Sequence, residues 1–214
     1  MSPQTMCPGG SCANLMNDPQ NCGACGVPCA SGVCQNGKCG RRVFVTNEAP
    51  LIGGFVTAGS ATPDAYCQRA ADTQMIGGTW NAWVTTVEGV VSSPSMRLVK
   101  PGVDDDVPYV LLNGKVIASN WIELTDGGID YPINITEFGT PVGGGITTAV
   151  WTNTSTSGQA VSTQNDGTTC FNFTIQGSTY TVAVGRLDYK DMTWTNVGPG
   201  SCYQTPAHLY CFEK

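Results

Sequence analysis

The sequence predicts an α+β domain preceded by a small disulfide-rich module. Three observations carry this. Eleven cysteines are unevenly spread, seven between Cys7 and Cys39 and only four (Cys67, Cys170, Cys202, Cys211) in the rest of the chain. Beyond Arg41, short strand-like segments dominate and two helical patterns appear among them, an order that suits α+β rather than a parallel α/β sheet. Hydrophobic residues make up 41% of the 214 positions, enough to bury a core and to exclude wholesale disorder.

Residues 1–40 form the first unit. Gly, Pro, Asn and Ser fill nearly every gap between its cysteines, so the backbone turns continually. Leu15, Met16, Val27 and Val33 are too few to make a core, and such a segment holds a shape only through covalent staples. Three readings of Cys22-Gly-Ala-Cys25 stand side by side. It is part of a disulfide framework, a redox pair, or, with Cys29 and Cys34, a zinc site of a reducing compartment. Seven cysteines (Cys7, Cys12, Cys22, Cys25, Cys29, Cys34, Cys39) leave one unpaired. Cys7, nearest the start, is the expected odd one, and an interchain bridge there would make a covalent homo-oligomer.

Residues 41–214 form the second unit. Val43-Phe44-Val45-Thr46 is β-branched and aromatic, hence a strand. Thr62-Pro63-Asp64 places a capping hydroxyl, a first-turn proline and an acid at a helix start. Ala65, Cys67, Ala70, Ala71 and Met75 then share one face, with Gly77-Gly78 as the stop. A second short helix starts at Asn120, which has capping-box spacing to Glu123, and ends at Asp126-Gly127-Gly128. Strands are expected over 79–86, 109–112, 116–118, 149–151, 169–175, 179–184 and 209–212. The long Gly/Thr/Asn stretches 139–148 and 152–168 have the length of functional or poorly ordered loops.

Several residues in order carry a family resemblance: Cys67 on the first helix, Gly78-Thr79-Trp80-Asn81-Ala82-Trp83, Asn120-Trp121 with Leu124, and Val150-Trp151-Thr152 with Gly158. Cys170, Cys202 and Leu209-Tyr210-Cys211-Phe212-Glu213 complete the series. Over residues 41–214 this resembles the endostatin-like domain, a divergent C-type-lectin-like fold with a bacterial version in surface proteins. The resemblance implies bridges Cys67–Cys211 and Cys170–Cys202, mixed and antiparallel sheets, and pairing of the first strand with the last. It also implies recognition of an extracellular protein or glycan through the long-loop end. The string from Asn14 to Gly26 resembles cysteine-rich modules of predicted exported proteins of predatory soil bacteria, which implies export and no particular activity.

The departures are informative. Trp194-Thr195-Asn196 stands where sugar-binding C-type lectins carry Trp-Asn-Asp, and no Glu-Pro-Asn-like loop is present, so the usual calcium-dependent sugar site is not expected. The histidines of the endostatin zinc site and the basic heparin surface are missing as well.

His208 is the only imidazole and no acid flanks it, so a Ser/His or Cys/His catalytic centre is not expected and the chain reads as a non-enzyme. Asp104, Asp105 and Asp106 read as a solvated loop or as a calcium loop with help from Asp126, Asp130, Asp188 and Asp191. Trp83, Trp121 and Trp151 are assigned to the core by the resemblance. Trp80 and Trp194 are less constrained and, with Asn196, are the candidate ligand contacts. Asn134, Asn153 and Asn172 begin glycosylation sequons, coincidental in a bacterial product.

Composition sets the class. Charged residues are only 12% and net charge is −6, which argues against nucleic-acid binding, since that needs a basic face. No apolar run reaches the length of a membrane span. Dense cysteine with low charge indicates an oxidising compartment, so the expectation is a secreted or outer-surface protein. Met1-Ser-Pro-Gln-Thr lacks the features of a secretory leader, and removal of one from the mature chain is the accompanying expectation. The expected function is a non-catalytic binding module. The alternative is a self-associating subunit of a surface layer or filament, linked through the odd cysteine.

Overall fold

The computed structural model describes residues 4–50, 62–99, 106–142, 148–203 and 206–214. Among them the chain is mixed α+β, with twelve short strands and four short helices rather than two. No helix among the described residues is long and apolar enough to cross a membrane.

The first unit contains two minimal hairpins, β1 (Thr5–Met6) with β2 (Cys12–Ala13) and β3 (Cys34–Gln35) with β4 (Lys38–Cys39). Three bridges hold them: Cys7–Cys25, Cys22–Cys34 and Cys29–Cys39. The module's buried cluster is Cys22, Cys29 and Cys34, with Cys39 packed on it, so sulfur stands in for a hydrophobic core. These bridges correct one expectation. Cys7 is paired, and the free cysteine is Cys12, exposed on β2.

The module is tied to the second unit by side chains from both. Lys38 forms an ion pair with Asp106, and Gln35 Nε2 donates to the Ser119 carbonyl at 3.2 Å. Gly40 lies so close to Val110 that a Cβ there would sit 2.5 Å from its Cγ2. Only glycine permits that approach.

The second unit is built on a five-stranded mixed sheet of β5 (Arg41–Val45), β6 (Trp80–Ala82), β7 (Tyr109–Leu111), β8 (Val116–Ala118) and β12 (Tyr210–Glu213), in the order β6-β12-β5-β7-β8. The last strand pairs antiparallel with the first (Tyr210 opposite Val45, Phe212 opposite Val43), while β7 pairs with β5 in parallel. Alternation sends Phe44 and Cys211 to one core and Val43, Val45, Tyr210 and Phe212 to the other, so this sheet is buried on both faces. A three-stranded antiparallel sheet, β9 (Ala149–Trp151), β10 (Thr181–Arg186) and β11 (Gly198–Ser201), runs in the order β11-β10-β9.

Helix α1 (Pro63–Thr73) has Thr62 as N-cap, its hydroxyl accepting from Ala65 N–H at 3.1 Å. Asp64 in the first turn accepts from Ala82 N–H at 2.8 Å and pairs with Arg97, fixing the helix start against β6. Cys67 and Ala71 face the core as the pattern requires. Met75 does not. It lies beyond the helix at φ 53° and is 90% exposed, because the chain turns left-handed before the glycines are reached. Single turns α2 (Pro94–Arg97) and α3 (Trp121–Leu124) follow. Asn120 caps α3 by accepting from Glu123 N–H, but the Glu123 carboxylate turns back to Ser119 rather than to Asn120.

The expected strand 79–86 shrinks to β6. The expected strand 169–175 is not extended at all. A 3₁₀ turn, Gly167–Thr169, capped by Asp166, leads into α4 (Cys170–Phe173), whose residues have φ 51°, 49°, 56° and 63°. That is a single left-handed turn, a conformation that costs each L-residue about 1–2 kcal/mol and needs outside restraint. The restraints are the Cys170–Cys202 bridge, the Asn172 amide oxygen accepting from Val87 N–H at 2.8 Å, and Phe171 edge-on to Tyr180.

Candidate functional site

The stretch 152–168 is anchored by buried polar side chains rather than by apolar ones. Asn153 is fully buried at φ 45°; its amide donates to the Ser162 carbonyl at 2.9 Å and accepts from Ser162 N–H at 3.0 Å. This reciprocal pair ties the two sides of the loop as a backbone bridge would. Thr152 Oγ1 donates to the Thr195 carbonyl at 2.7 Å, and Thr195 Oγ1 donates to the Thr154 carbonyl at 3.0 Å. Thr195 Oγ1 also accepts from Trp83 Nε1 at 2.7 Å, and the Thr85 and Thr154 hydroxyls lie 3.0 Å apart. Buried polar groups are tolerated when partnered, and a connected network of this kind holds one geometry.

The same network positions 194–196. The Met192–Trp194 3₁₀ turn is capped by Asp191, whose carboxylate takes the Thr193 N–H and hydroxyl and is thereby held below the usual carboxylate range. Gly185 on β10 lets this turn approach, since a Cβ there would meet the Trp194 carbonyl oxygen at 2.1 Å. Asn196 then emerges half-buried, its side chain accepting from Gly198 N–H at 3.1 Å.

Between this turn, β10, β11 and the anchored loop lies a groove of about 390 Å³ lined by Val161, Ser162, Thr168, Thr181, Val182, Ala183, Asn196, Gly198 and Pro199. Its lining combines apolar residues with three hydroxyls and one amide, and among the described residues that line it none is charged or aromatic. The arrangement suits hydrogen-bonded recognition of a neutral surface.

Of the candidate contacts, the groove includes Asn196 alone. Trp80 and Trp194 are 1% and 0% exposed, which corrects their assignment as available aromatics. Trp80 packs 4.7 Å from Phe44 and donates its indole N–H to Gly77, while Trp194 packs 4.9 Å from Trp83. What sequence reading missed is the contribution of Val161, Ser162 and Thr168, whose only signal was the length of their loop.

Asp104 and Asp105 lie outside the described residues. Asp106 is engaged by Lys38, which lowers its pKa. Asp126, Asp130 and Asp191 share a cleft with Glu123 and Lys190, whereas Asp188 pairs with Arg186. Among the described residues the one set of three metal-ligating atoms within 4.8 Å of each other belongs to Cys22, Cys29 and Cys34. Their sulfurs are in bridges, so they offer no thiolates to zinc, and Cys22-Gly-Ala-Cys25 is no redox pair, because each cysteine is bridged elsewhere.

Cys67 is bridged to Cys211 and Cys170 to Cys202. The first joins α1 to β12 and the second pins α4 beside β11. His208 is fully buried, with Nδ1 2.5 Å from the Thr46 carbonyl oxygen, a packing role between β9 and the end of β5. Asn153 is buried with its amide occupied, so its sequon is inaccessible in the folded chain. No protein-family model matches the chain, and no curated protein matches it.

Proposed function

We propose that the chain is a non-catalytic extracellular recognition module, binding a protein or glycan through the groove between the 152–168 loop and β10–β11. The observation that carries this is the groove itself. It places Ser162, Thr168, Thr181 and Asn196 beside apolar residues, and the segments that form it are fixed in advance by the buried Thr/Asn network. Preorganised hydroxyls cost little ordering entropy on binding.

In this reading the second unit is a C-type-lectin-like, endostatin-like head and the first a stapled stalk. Support comes from the pairing of β5 with β12 and from the Cys67–Cys211 and Cys170–Cys202 bridges. Five disulfides are compatible with an oxidising, extracellular setting.

A matrix-protein and glycan array, run with and without calcium, tests it, using the wild-type chain and Val161→Asp. Val161 is 46% exposed, so the variant keeps the fold while placing a charge in the groove. Saturable binding of one ligand class, weakened about tenfold or more by Val161→Asp, is the expected result. Absence of a saturating ligand, or indifference to the substitution, overturns it.

The exposed free thiol of Cys12 favours a second reading, a self-associating subunit joined through that residue. Non-reducing electrophoresis of native material would then show a covalent dimer lost in Cys12→Ser.

A further inference from the structure

A second cavity lies elsewhere on the molecule, where the chain leaves β5. Segment 135–137 runs beside the end of β5, with Val45 N–H donating to the Ile135 carbonyl at 2.9 Å and Val45 bridged to Thr136. That parallel run carries Asn47-Glu48 and Glu137-Phe138 out side by side and faces them toward α1. The resulting cavity, about 220 Å³, is completed by Tyr66, Arg69 and Ala70.

Its charges do not balance. Glu137 is only 9% exposed and its Oε2 accepts from Asn47 N–H at 2.7 Å, yet among the described residues it has no ion-pair partner. Glu48 accepts from the Tyr66 hydroxyl at 2.6 Å. The one cation among the described residues lining the cavity, Arg69, lies over the Tyr66 ring at 4.6 Å. Two carboxyl groups therefore face one guanidinium, and a carboxylate nine-tenths out of water is either matched by a cation or driven toward its neutral form. The rim carries Phe138, 54% exposed, an apolar surface of the kind a methylene stem covers and a cation approaches.

We propose that this cavity binds a primary alkylammonium group, with Glu137 and Glu48 as its counter-charges and Phe138 against its methylene stem. A hard metal ion suits the cavity less well. Calcium takes six to eight oxygens, whereas here there are two carboxylates beside a resident guanidinium. The alkylammonium is supplied by a lysine side chain of a protein partner or by a free amine. The site is independent of the groove, shares no residue with it, and stands or falls separately. Burial and the neighbouring Glu48 charge both raise the pKa of Glu137. Among the described residues, the other charged and titratable groups lining the cavity are Glu48, Tyr66 and Arg69, so binding should weaken as acid protonates Glu137.

The test is amide NMR of the full chain titrated with Nα-acetyl-lysine methylamide, n-butylammonium, the neutral Nα-acetyl-norleucine methylamide and calcium chloride. The expected result is saturable shifts at Asn47, Ala70 and Phe138 with a charged probe and none with the norleucine compound. Preference for the lysine probe assigns a protein partner, and preference for butylammonium a free amine. Glu137→Gln should weaken binding about tenfold and Phe138→Ala several-fold. If Glu137→Gln does not fold, Glu48→Gln at an exposed position gives the same reading. Equal binding of the norleucine compound, unchanged affinity in the glutamine variants, displacement by lower concentrations of calcium, or no saturable shift would each overturn the proposal.

Discussion

Arg42 and Glu213, separated by 171 positions in sequence, form a two-pronged ion pair across the seam between β5 and β12. Nε to Oε2 is 2.9 Å and Nη2 to Oε1 is 2.5 Å, with the side chains 10% and 19% exposed. Arg42 also donates to the Ile76 and Gly77 carbonyls and lies over the Trp80 ring. Truncating one member of so enclosed a pair leaves the other charge uncompensated, at about 3–5 kcal/mol when fully buried. Arg42→Ala should therefore lower the urea midpoint sharply. Arg42→Lys should recover little, since lysine cannot reproduce the planar fork. A stability change under about 0.5 kcal/mol in Arg42→Ala would contradict the pairing.

Gly185 lets the turn that leads to Asn196 of the groove pack against β10. A methyl group at this position would collide with backbone atoms, the Trp194 oxygen at 2.1 Å and the Thr195 Cα at 2.8 Å, which cannot swing away as a side chain can. Gly185→Ala should cost about 1–3 kcal/mol or more in chemical denaturation and displace Asn196. Gly114→Ala is the control for glycine replacement in a turn: its site is spatially open but its φ is +85°, so its cost is conformational and stays local to the β7–β8 turn. Amide shifts at 194–198 in the first variant and none there in the second would establish the difference.

The parts of this fold legible in sequence are those that one local signal decides. Thr62-Pro63-Asp64 starts α1 because cap, proline and acid all act within one turn. Val43–Val45 and Tyr210–Phe212 are legible as strands because both faces of their sheet are buried. Illegible features depend on distant partners. Cys170–Phe173 has the apolar look of a strand, and it is held left-handed by the bridge to Cys202, the Val87 amide and Tyr180. Trp194 looks available in sequence, but Trp83 and Tyr210 enclose it, the first of them far away in the chain. The odd cysteine could not be chosen from spacing, because which sulfurs meet is a property of the folded module.

The Cys67–Cys211 bridge spans a sequence separation of 144, a loop for which chain-entropy models give about 5 kcal/mol, an upper figure for real bridges. The double variant Cys67→Ala/Cys211→Ala should lose several kcal/mol in denaturant. Cys29→Ala/Cys39→Ala, closing a separation of only 10, should instead release amide protection within residues 7–39 and leave β5 and β12 protected. Hydrogen exchange by mass spectrometry separates the two outcomes. Loss of protection in β12 from the second variant would show that the module and the sheet unfold together.

Thiol counting tests the pairing directly. Cys12 is exposed and free, while the other ten cysteines are in five bridges. Native chain treated with iodoacetamide should take up one label, at Cys12, and a Cys12→Ser chain none. Two or more labels, or a label at Cys7, would contradict the Cys7–Cys25 bridge.

Glu137 sets a pH dependence whose sign comes from its surroundings. Burial, then the nearby Glu48 charge, favour its neutral form and raise its pKa; the Asn47 N–H and its own backbone N–H oppose this incompletely. The folded chain then holds a proton that the unfolded chain has released, across the window from the ordinary glutamate pKa up to the raised value. Folding stability from this group is accordingly full below the window, falls as pH rises through it, and stays reduced above it. Glu137→Gln keeps an oxygen for the Asn47 N–H but cannot ionise. It should remove that decline and be at least as stable as wild type at neutral pH. Urea denaturation of both proteins at pH 4, 5, 6 and 7 measures this: the stability difference should move in favour of glutamine as pH rises and then level off. A difference that is constant with pH, or that grows in favour of glutamate, would place Glu137 in an environment that stabilises its charge and would remove the reason for a missing cation.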